Sequence, residues 1–523
     1  MVKALLNSFL PSSPTTFLSN FKVLCLLSFI AGLSLVFAYA PFGIWPITLI
    51  VPALWLSLMH NKPIKKATTC GFFFGLGWFG SGISWVHVSI DKFGGMPFAI
   101  TLILMVMLCA YLAIYPALAC YLSSRLTKKR LFNGWLFPSV WLFSEFLRSI
   151  ILTGFPWLSL GYSQIDGPLS NLAPVIGEIG ITFIMLILAT CLSQLILKHK
   201  VKSHSFIIFI VSLSAWVLSQ STWTTPLNQQ INVALVQGNI KQEMRWQAQQ
   251  EWPTMLKYLD LTRANYDADL IVWPESAVPK LEPLVQDYLT MTNKAAALNN
   301  SAIITGIQNY DIGSKEYFNG LIVLGKKDQQ SDVGQYYYQT HNRYYKHHLL
   351  PIGEFVPFGD LLRPLAPFFN LPMSSFSRGD YQQPNIRANG LNVLPLICFE
   401  IVFAEQLRAN FNNDTNLLLT VSNDAWFGDS HGPHQHLEIT RMRALEFGRP
   451  ILRATNNGVT AIIDHLGMVI TQAPQFIETV LRANVNLVTG RTPFSYWGHW
   501  LAFLLAMILF ASVQIKEWYS NQN

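Results

Sequence analysis

The chain has 523 residues, of which 51% are hydrophobic and only 12% are charged, about half the charged fraction of an ordinary soluble protein. The formal net charge of +7 lies mainly in short loops between apolar stretches, so it gives no reason to expect a nucleic-acid partner. Residues 1–222 are nearly all apolar, 231–490 have ordinary globular composition, and 494–515 are apolar again. This division excludes a wholly soluble protein and predicts two environments in one chain.

Eight apolar stretches are candidates for crossing a bilayer, which takes about 20 residues. They lie near residues 21–40, 43–60, 68–90, 97–123, 132–152, 171–197, 205–222 and 494–514. The second and seventh are short, and the fifth contains Glu145 and Arg148. The sequence therefore predicts a membrane all-α bundle of about eight transmembrane helices.

Basic residues predict which loops of this bundle face the cytoplasm. Every second loop is basic, and the other loops contribute almost nothing apart from Lys92. The basic residues are Lys62, Lys65 and Lys66, then Arg125, Lys128, Lys129 and Arg130, then Lys198, Lys200 and Lys202. This pattern predicts that both termini are cytoplasmic and that the long polar segment faces outward.

The polar segment alternates short apolar runs with helix-like stretches. Strands are predicted at 231–238, 270–273, 302–306, 321–324, 393–397, 417–421 and 459–463, and helices at 249–266, 281–297, 404–411 and 436–447. Strands that alternate with helices are typical of an α/β domain. We therefore expect a membrane domain with seven spans at 1–225, an α/β domain at 226–492, and a C-terminal span with its tail at 493–523.

Cys398 is the one cysteine of the polar segment. The other five, Cys25, Cys70, Cys109, Cys120 and Cys191, lie in predicted spans, where cysteine acts as a small apolar residue. A lone thiol in an oxidising exterior cannot form an internal disulfide, which leaves a packing residue or a nucleophile. Glu275 and Lys346, like Cys398, each follow a short apolar segment, and ligands of open α/β sheets bind at the carboxyl ends of the strands. The three side chains are therefore expected to converge.

Each of these residues is weak evidence by itself, because carboxylates are common in loops and lysines are usually solvated. Together they suit acyl transfer through a covalent thioester. A neighbouring ammonium helps a thiol to ionise and stabilises an oxyanion, and a carboxylate takes and returns the proton. The sequence thus predicts Glu275, Lys346 and Cys398 as catalytic residues.

Longer motifs around these residues resemble those of the nitrilase (carbon–nitrogen hydrolase) superfamily. With membrane spans on both sides, the chain resembles more closely the apolipoprotein N-acyltransferase family. The motifs that match the superfamily are Trp273-Pro274-Glu275-Ser276, Tyr345-Lys346, Glu354-Phe355-Val356-Pro357, Ile397-Cys398-Phe399-Glu400 and Ser422-Asn423-Asp424-Ala425-Trp426-Phe427. The likeness extends to Arg148 and Thr153-Gly154-Phe155-Pro156-Trp157 in the membrane half, and to Arg453-Ala454-Thr455-Asn456-Asn457-Gly458 late in the polar segment.

The resemblance implies a four-layer αββα sandwich on an eight-helix membrane base, with Glu275, Lys346 and Cys398 as a triad. It implies a second carboxylate near the lysine, Glu354, and a glutamate beside the nucleophile, Glu400. A family position linked to substrate handling is matched by Trp246. One residue departs from the family pattern: Phe399 stands where tyrosine is common, so any role of that hydroxyl is absent while the backbone N–H remains.

The activity that the resemblance implies is N-acylation of lipoproteins in a bacterial inner membrane, with the α/β domain on the periplasmic side. Cys398 would take an acyl chain from a phospholipid as a thioester. The N-terminal amine of a diacylglyceryl-cysteine in an apolipoprotein would then accept that chain. No metal or organic cofactor is expected, and a single chain suffices for this chemistry, so a monomer is expected.

Two other functions remain open on the sequence. A membrane-anchored amidase or nitrilase would pass the acyl group to water, although one anchor would suffice for that. A transporter or receptor with an outer domain would explain the many spans but not the three catalytic candidates.

Four smaller features also have two interpretations. His431, His434 and His436 lie close together, but their spacing is not that of a standard metal site, which favours structural or substrate contacts. Glu145 and Arg148 form either a buried brace or a lipid head-group contact. The oily segment 351–378 either packs on the core or forms a lid that guides acyl chains. Trp157 and Tyr162 are expected to be membrane-interface anchors.

Overall fold

The computed structural model describes residues 20–331, 333–351, 353–355 and 376–519. Within these ranges, seven helices longer than ten residues precede the first strand, and each overlaps a predicted span. They are α1 (Phe21–Ser34), α2 (Ile47–Met59), α3 (Ile64–Gly82), α4 (Phe98–Arg125), α5 (Phe137–Ile150), α6 (Ala173–Ile196) and α7 (Val201–Ser219).

Five helical segments of the described chain are long and apolar enough to cross a membrane. These segments are Phe21–Ala38, Phe98–Arg125, Ser170–Ile196, Val201–Ser219 and Trp500–Tyr519. The remaining three predicted spans correspond to α2, which is shorter, to α3, which begins with two lysines, and to α5, which has 14 residues and contains Glu145 and Arg148. The prediction of a helical membrane base is confirmed.

The loops of the helical bundle sort into two groups at opposite ends. At one end the basic loops meet: Phe132 N donates to Lys62 O at 2.8 Å, and the His60 and His199 rings lie 5.3 Å apart. At the other end the loops contact the α/β domain, as where Ser89 Oγ donates to Trp426 O at 2.7 Å. The basic loops and the α/β domain therefore lie at opposite ends of the bundle.

Thirteen strands of the described chain form two sheets. They are β1 (Thr224–Gln237), β2 (Leu270–Val272), β3 (Val278–Leu281), β4 (Ala302–Asp311), β5 (Glu316–Gly325), β6 (Arg343–Tyr345), β7 (Ile386–Ala388), β8 (Leu391–Ile397), β9 (Leu417–Ser422), β10 (Ile451–Thr455), β11 (Ala461–Ile463), β12 (Val469–Gln472) and β13 (Thr479–Gly490). One sheet has the order β13-β1-β2-β4-β5-β6 with β3 beside β4, and the other has the order β12-β11-β10-β9-β8-β7. The pairs β1–β2, β2–β4, β8–β9 and β9–β10 are parallel.

All seven predicted strands overlap observed ones, and six strands were not predicted. Two of these, β6 and β7, have three residues each, too few for a hydrophobic pattern. Exposed or half-exposed residues dominate β12 and β13, which occupy sheet edges. The fully buried β10 was missed because the charged Arg453 interrupts its apolar run.

The two sheets pack face to face between two helical layers. Val233, Val272 and Ile304 of one sheet share a buried core with Val393, Leu419 and Leu452 of the other. Within the described residues, four helices belong to this domain, and one long helix follows it after a short one at Pro493–Trp497. They are α8 (Ala248–Arg263), α9 (Gln286–Leu298), α10 (Ala404–Asn410), α11 (Gly432–Phe447) and, after the domain, α12 (Trp500–Tyr519). The first sheet packs its outer face on α8 and α9, and the second packs on α11. The α/β prediction is confirmed.

Helix α11 also joins the α/β domain to the membrane half. Gln435 accepts hydrogen bonds from the indoles of Trp85 and Trp157 at 3.0 and 2.8 Å. Arg443 donates to Tyr162 Oη at 2.8 Å. Trp157 and Tyr162 are therefore buried between the two halves, and the prediction that they are membrane-interface anchors is wrong.

The Glu145–Arg148 pair acts as a buried brace. The two side chains form an ion pair, and Arg148 Nη1 donates to the carbonyl oxygens of Phe155 and Trp157 at 2.6 and 2.7 Å. Because Arg148 is buried with these partners, the alternative of a direct head-group contact is not supported. The pair instead fixes the loop that reaches the α/β domain.

Candidate active site

Lys346 lies between two carboxylates at the end of the first sheet. It follows β6, and its Nζ is 2.8 Å from Glu354 Oε2 and 3.6 Å from Glu275 Oε1. The side chain is buried, and a buried ammonium requires compensating charge. Burial by itself would lower the pKa of Lys346, but Glu354 and Glu275 outweigh it and hold the pKa above its ordinary value. The amine therefore stays protonated.

Asn319 on β5 fixes the spacing of the two carboxylates. Its Nδ2 donates to Glu275 Oε1 at 2.8 Å and to Glu354 Oε1 at 2.9 Å. The backbone carbonyl oxygen of Asn319 accepts a hydrogen bond from Lys346 N at 2.8 Å. From the second sheet, the backbone N–H of Asn423 donates to Glu275 Oε2 at 3.1 Å. The Glu275 carboxylate is thus held by groups from both sheets.

Cys398 occupies a sharp turn at the end of β8. Its φ is 54°, a left-handed conformation that is uncommon for a residue other than glycine and is maintained only when the surroundings fix the backbone. Its Sγ lies 3.4 Å from Ser422 Oγ, which ends the neighbouring strand β9 and also hydrogen-bonds to Asp424 Oδ1. The thiol is therefore held between the ends of two parallel strands, as predicted for a ligand site of this fold.

Glu400 organises the backbone around both Lys346 and Cys398. Its Oε2 accepts from Ile397 N at 2.8 Å, and its Oε1 accepts from His347 N at 2.8 Å. The further donors to this carboxylate are His348 N, Tyr344 Oη and Gln406 Nε2. Because Glu400 is fully buried and saturated with donors, it fixes the backbone segments that carry Lys346 and Cys398.

A buried ionic network lies behind Cys398. Arg453 Nη2 donates to Asp424 Oδ2 at 2.6 Å, and His436 Nε2 lies 3.2 Å from Cys398 O. Burial would raise the pKa of Asp424, but Arg453 and His436 outweigh it and hold that pKa well below its ordinary value. Asp424 is therefore ionised, and its network supports the turn that carries the thiol.

The thiol of Cys398 is neutral in this resting arrangement. Burial, reinforced by the negative charge of Glu275, raises the pKa of Cys398 to about 12, although Lys346 acts in the opposite direction. Lys346 therefore acts in the predicted direction, toward ionisation of the thiol, but burial and Glu275 outweigh it in the free site. If such a neutral thiol were to attack a carbonyl group, a base would have to take its proton in the same step.

Comparison with known proteins identifies the family of this chain. The family model for the apolipoprotein N-acyltransferase N-terminal domain matches residues 31–191, and the carbon-nitrogen hydrolase model matches residues 232–492. An apolipoprotein N-acyltransferase of Photobacterium profundum is 47% identical over 485 residues, which cover 92% of this chain and 93% of that protein. The chain belongs to the apolipoprotein N-acyltransferase family.

A second relative agrees with this family assignment. The apolipoprotein N-acyltransferase of Shewanella oneidensis is 49% identical over 480 residues, or 90% of this chain and 92% of that protein. Among solved structures, a CN-hydrolase superfamily protein of Xanthomonas campestris is 18% identical, covers 49% of this chain and 90% of that protein, and has a TM-score of 0.34. As a member of an acyltransferase family, the chain is an enzyme.

Phe399 and Trp246 occupy different environments in this family member. Phe399 is buried and stacks near Phe155 and Trp157, at centroid distances of 6.1 and 6.3 Å, so its ring packs against the membrane half. Trp246 is 37% exposed and lies under the guanidinium of Arg245, 5.6 Å from the ring centroid. Its role with substrate stays a prediction.

The three histidines face different partners. His431 Nε2 lies 3.2 Å from Ser84 Oγ, and His436 serves the Asp424 network. In the part of the chain that the structure describes, no three histidine, cysteine, aspartate or glutamate side chains are grouped as metal ligands. The proposed lid cannot be described, because residues 356–375 of the segment 351–378 lie outside the described residues.

Sequence reasoning missed several residues that shape the site. Asn319 lies in no recognisable motif, and only the pairing of β5 with β6 brings it to the carboxylates of Glu275 and Glu354. Arg245 donates to the carbonyl oxygens of Glu275 and Ser276, the second at 2.8 Å. Ser422 and Arg453 lie within motifs noted above, but nothing in those motifs indicates that one contacts the thiol and the other neutralises a buried aspartate.

Proposed function

We propose that the chain transfers a fatty acyl group from a membrane phospholipid to the N-terminal amine of diacylglyceryl-cysteine in apolipoproteins. The observation that carries this function is the convergence of Cys398, Lys346 and Glu275 at the strand ends of a domain that rests on a membrane bundle. Relatives matched along nearly the whole chain carry the name of this activity, which does not favour the hydrolase alternative.

In the first half-reaction Cys398 becomes acylated. The thiol proton passes to the Glu275 carboxylate as sulfur bonds to the ester carbonyl carbon. The oxyanion is stabilised by the Lys346 ammonium and by the backbone N–H of Phe399. This residue lies in a helical turn that begins at Cys398, and the first N–H groups of such a turn lack intrahelical partners. When the intermediate collapses, the ester C–O bond breaks and Glu275 returns its proton to the glycerol oxygen. A lysophospholipid leaves.

In the second half-reaction the thioester is consumed. The acceptor amine bonds to the thioester carbon while Glu275 takes one proton from the nitrogen. The same oxyanion donors act again, the C–S bond breaks, and Glu275 returns the proton to Cys398 sulfur. The products are an amide and a free thiol, so atoms and charges balance without a metal or an organic cofactor. Glu354 and Asn319 would hold Lys346 and Glu275 in place through both steps.

We also propose that the enzyme lies in the inner membrane of a bacterium with its α/β domain in the periplasm and both termini in the cytoplasm. The grouping of the basic loops at the end of the bundle away from the α/β domain supports this orientation, because basic loops favour the cytoplasmic side. The partners would be a phospholipid donor and a diacylated apolipoprotein acceptor. All proposed groups belong to one chain, so a monomer would suffice.

One assay with three outcomes tests this function. Membranes containing the full chain are incubated with an acyl-labelled phospholipid and a diacylated lipopeptide. Labelled amide that disappears in Cys398→Ala and persists in Cys191→Ala, a matched span cysteine, is the expected result. Free labelled fatty acid in place of amide would indicate a hydrolase, and the absence of both products would contradict acyl chemistry altogether.

A further inference from the structure

A second cavity, of about 940 Å³, lies between α5, α12 and α10. Cys398 is not part of its lining. On the side of the catalytic turn, the cavity wall includes His348 and Phe403, whose rings stack with 3.5 Å between centroids. The volume falls in the range of about 300–1,000 Å³ that is typical of small-molecule sites. The cavity is therefore large enough for a ligand and separate from the nucleophile.

Two membrane helices supply the apolar part of this cavity. The lining residues of α5 and α12 are mainly large and apolar: Val140, Phe143, Phe146, Ile150, Trp500, Phe503, Met507 and Phe510. Several of these side chains are also exposed at the protein surface, among them Met507 at 59%. In a membrane protein such a surface faces acyl chains, so the cavity opens sideways toward lipid.

The cavity extends along α12 from the end of that helix next to the α/β domain. Its lining follows α12 from Trp500 to Phe510. At about 1.5 Å of rise per residue this distance is about 15 Å, half of a hydrocarbon core of about 30 Å. Trp500 lies at the end of α12 nearest the α/β domain, because His499 N donates to Glu405 Oε1 of that domain at 2.9 Å. Because Leu122 and Leu126, at the end of α4 away from the α/β domain, also line the cavity, it runs from the α/β domain to beyond mid-membrane.

Charged side chains line the end of the cavity next to the α/β domain, where Glu178 of α6 joins two residues of α10. Glu405 and Arg408 of α10 line it, and Arg408 Nε donates to Glu405 Oε2 at 2.7 Å. Both side chains are partly exposed, so the pair is accessible to a ligand. Gly498 lies against the pair with φ of +55°, where any Cβ would collide with Glu405 and Arg408. The polar end is thus a closely fitted site that requires glycine.

We propose that this cavity binds one glycerophospholipid of the leaflet next to the α/β domain. Its acyl chains lie along α5 and α12, and its phosphate pairs with Arg408, because a guanidinium binds phosphate by charge-assisted hydrogen bonds. The groove is apolar along its length and charged at one end, as a phospholipid is apolar along its acyl chains and charged at its head group. Since the lipid is held apart from Cys398, it is not consumed, and it links α10 to the two membrane helices. This site does not depend on the acyl-transfer proposal.

Native mass spectrometry of the full chain tests this site. The chain carries Cys398→Ala and is prepared in mild detergent with added dioleoylphosphatidylcholine. One phospholipid should stay bound under activation that removes the rest. Arg408→Gln should weaken its retention about tenfold, as expected for the loss of a charge-assisted hydrogen bond. Met507→Trp should abolish retention by filling the groove, and dioleoylglycerol, which lacks the phosphate, should not be retained.

Two matched variants separate a defined site from general lipid coating. Ile508→Trp changes the next residue of α12, which is similarly exposed at 57% but does not line the cavity. Arg263→Gln removes an arginine that pairs with Asp260 three residues earlier, as Arg408 pairs with Glu405. Both variants should keep the lipid.

Four results would overturn the assignment. They are equal loss in Met507→Trp and Ile508→Trp, unchanged retention in Arg408→Gln, equal retention of dioleoylglycerol, and a dimer mass in place of a lipid adduct. With the native thiol present, the retained species should be intact phospholipid. Retention of lysophospholipid would show that the bound lipid is consumed by the enzyme, contrary to the proposal.

Discussion

The protonation state of Cys398 gives the sharpest prediction. Its pKa is raised to about 12 from an ordinary 9.0, so the protonated form dominates below that pH. At pH 8 roughly one thiol in 10⁴ would be ionised, compared with about one in ten for an ordinary thiol. Because alkylation requires the thiolate, the rate of iodoacetamide labelling should rise about tenfold per pH unit from about pH 7 to about pH 11, without a plateau.

Glu275→Gln should make alkylation of Cys398 faster, although it removes the proposed base. The Glu275 carboxylate opposes ionisation of the thiol, so its removal should lower the pKa of Cys398. A shift of about one unit would make alkylation at pH 8 about tenfold faster. Acyl transfer should nevertheless be lost, because the proposed base is gone. Glu478→Gln, which removes a surface carboxylate, should leave both measurements unchanged.

Labelling is measured by mass spectrometry of the Cys398 peptide in a chain whose five span cysteines are replaced by serine. Cys398→Ala supplies the blank. A plateau near pH 8 would show that the lysine holds a preformed thiolate. Slower alkylation in Glu275→Gln would refute the claim that the Glu275 carboxylate opposes ionisation of the thiol.

Three further variants separate catalysis from folding. Asn319→Leu should slow thioester formation about 10²-fold in single-turnover assays, since it frees the two carboxylates that it spaces, and the lost hydrogen bonds to these carboxylates should lower the free energy of unfolding by only about 1–3 kcal/mol. Asp424→Asn should lower the free energy of unfolding by about 3–5 kcal/mol in thermal unfolding, because Arg453 is left buried without a counter-ion, whereas Arg263→Gln on the surface should not. Glu400→Gln should cost about 1–3 kcal/mol for each backbone donor left without an acceptor, and unchanged thermal unfolding would refute its positioning role.

Local patterns were sufficient for the membrane helices and for most of the buried strands. Long apolar runs such as the one in α4 form helices wherever they occur, because a helix is the simplest way to satisfy a backbone in lipid. Short apolar runs such as that of β8 lie in the interior for the same hydrophobic reason. The order of these elements along the chain was enough to predict an α/β domain on a membrane base.

The sequence also determined which residues are candidates for chemistry, since a lone thiol, a lysine and a carboxylate after apolar segments can be recognised without contacts. Only the tertiary structure decided their environment. Burial raises the pKa of Cys398, and Asn319 and Ser422 reach the site solely because their strands pair with β6 and β8. Trp157 and Tyr162 likewise lie between the two halves instead of at the lipid interface. Charge, burial and hydrogen bonding depend on neighbours that are distant in the chain, so no local pattern encodes them.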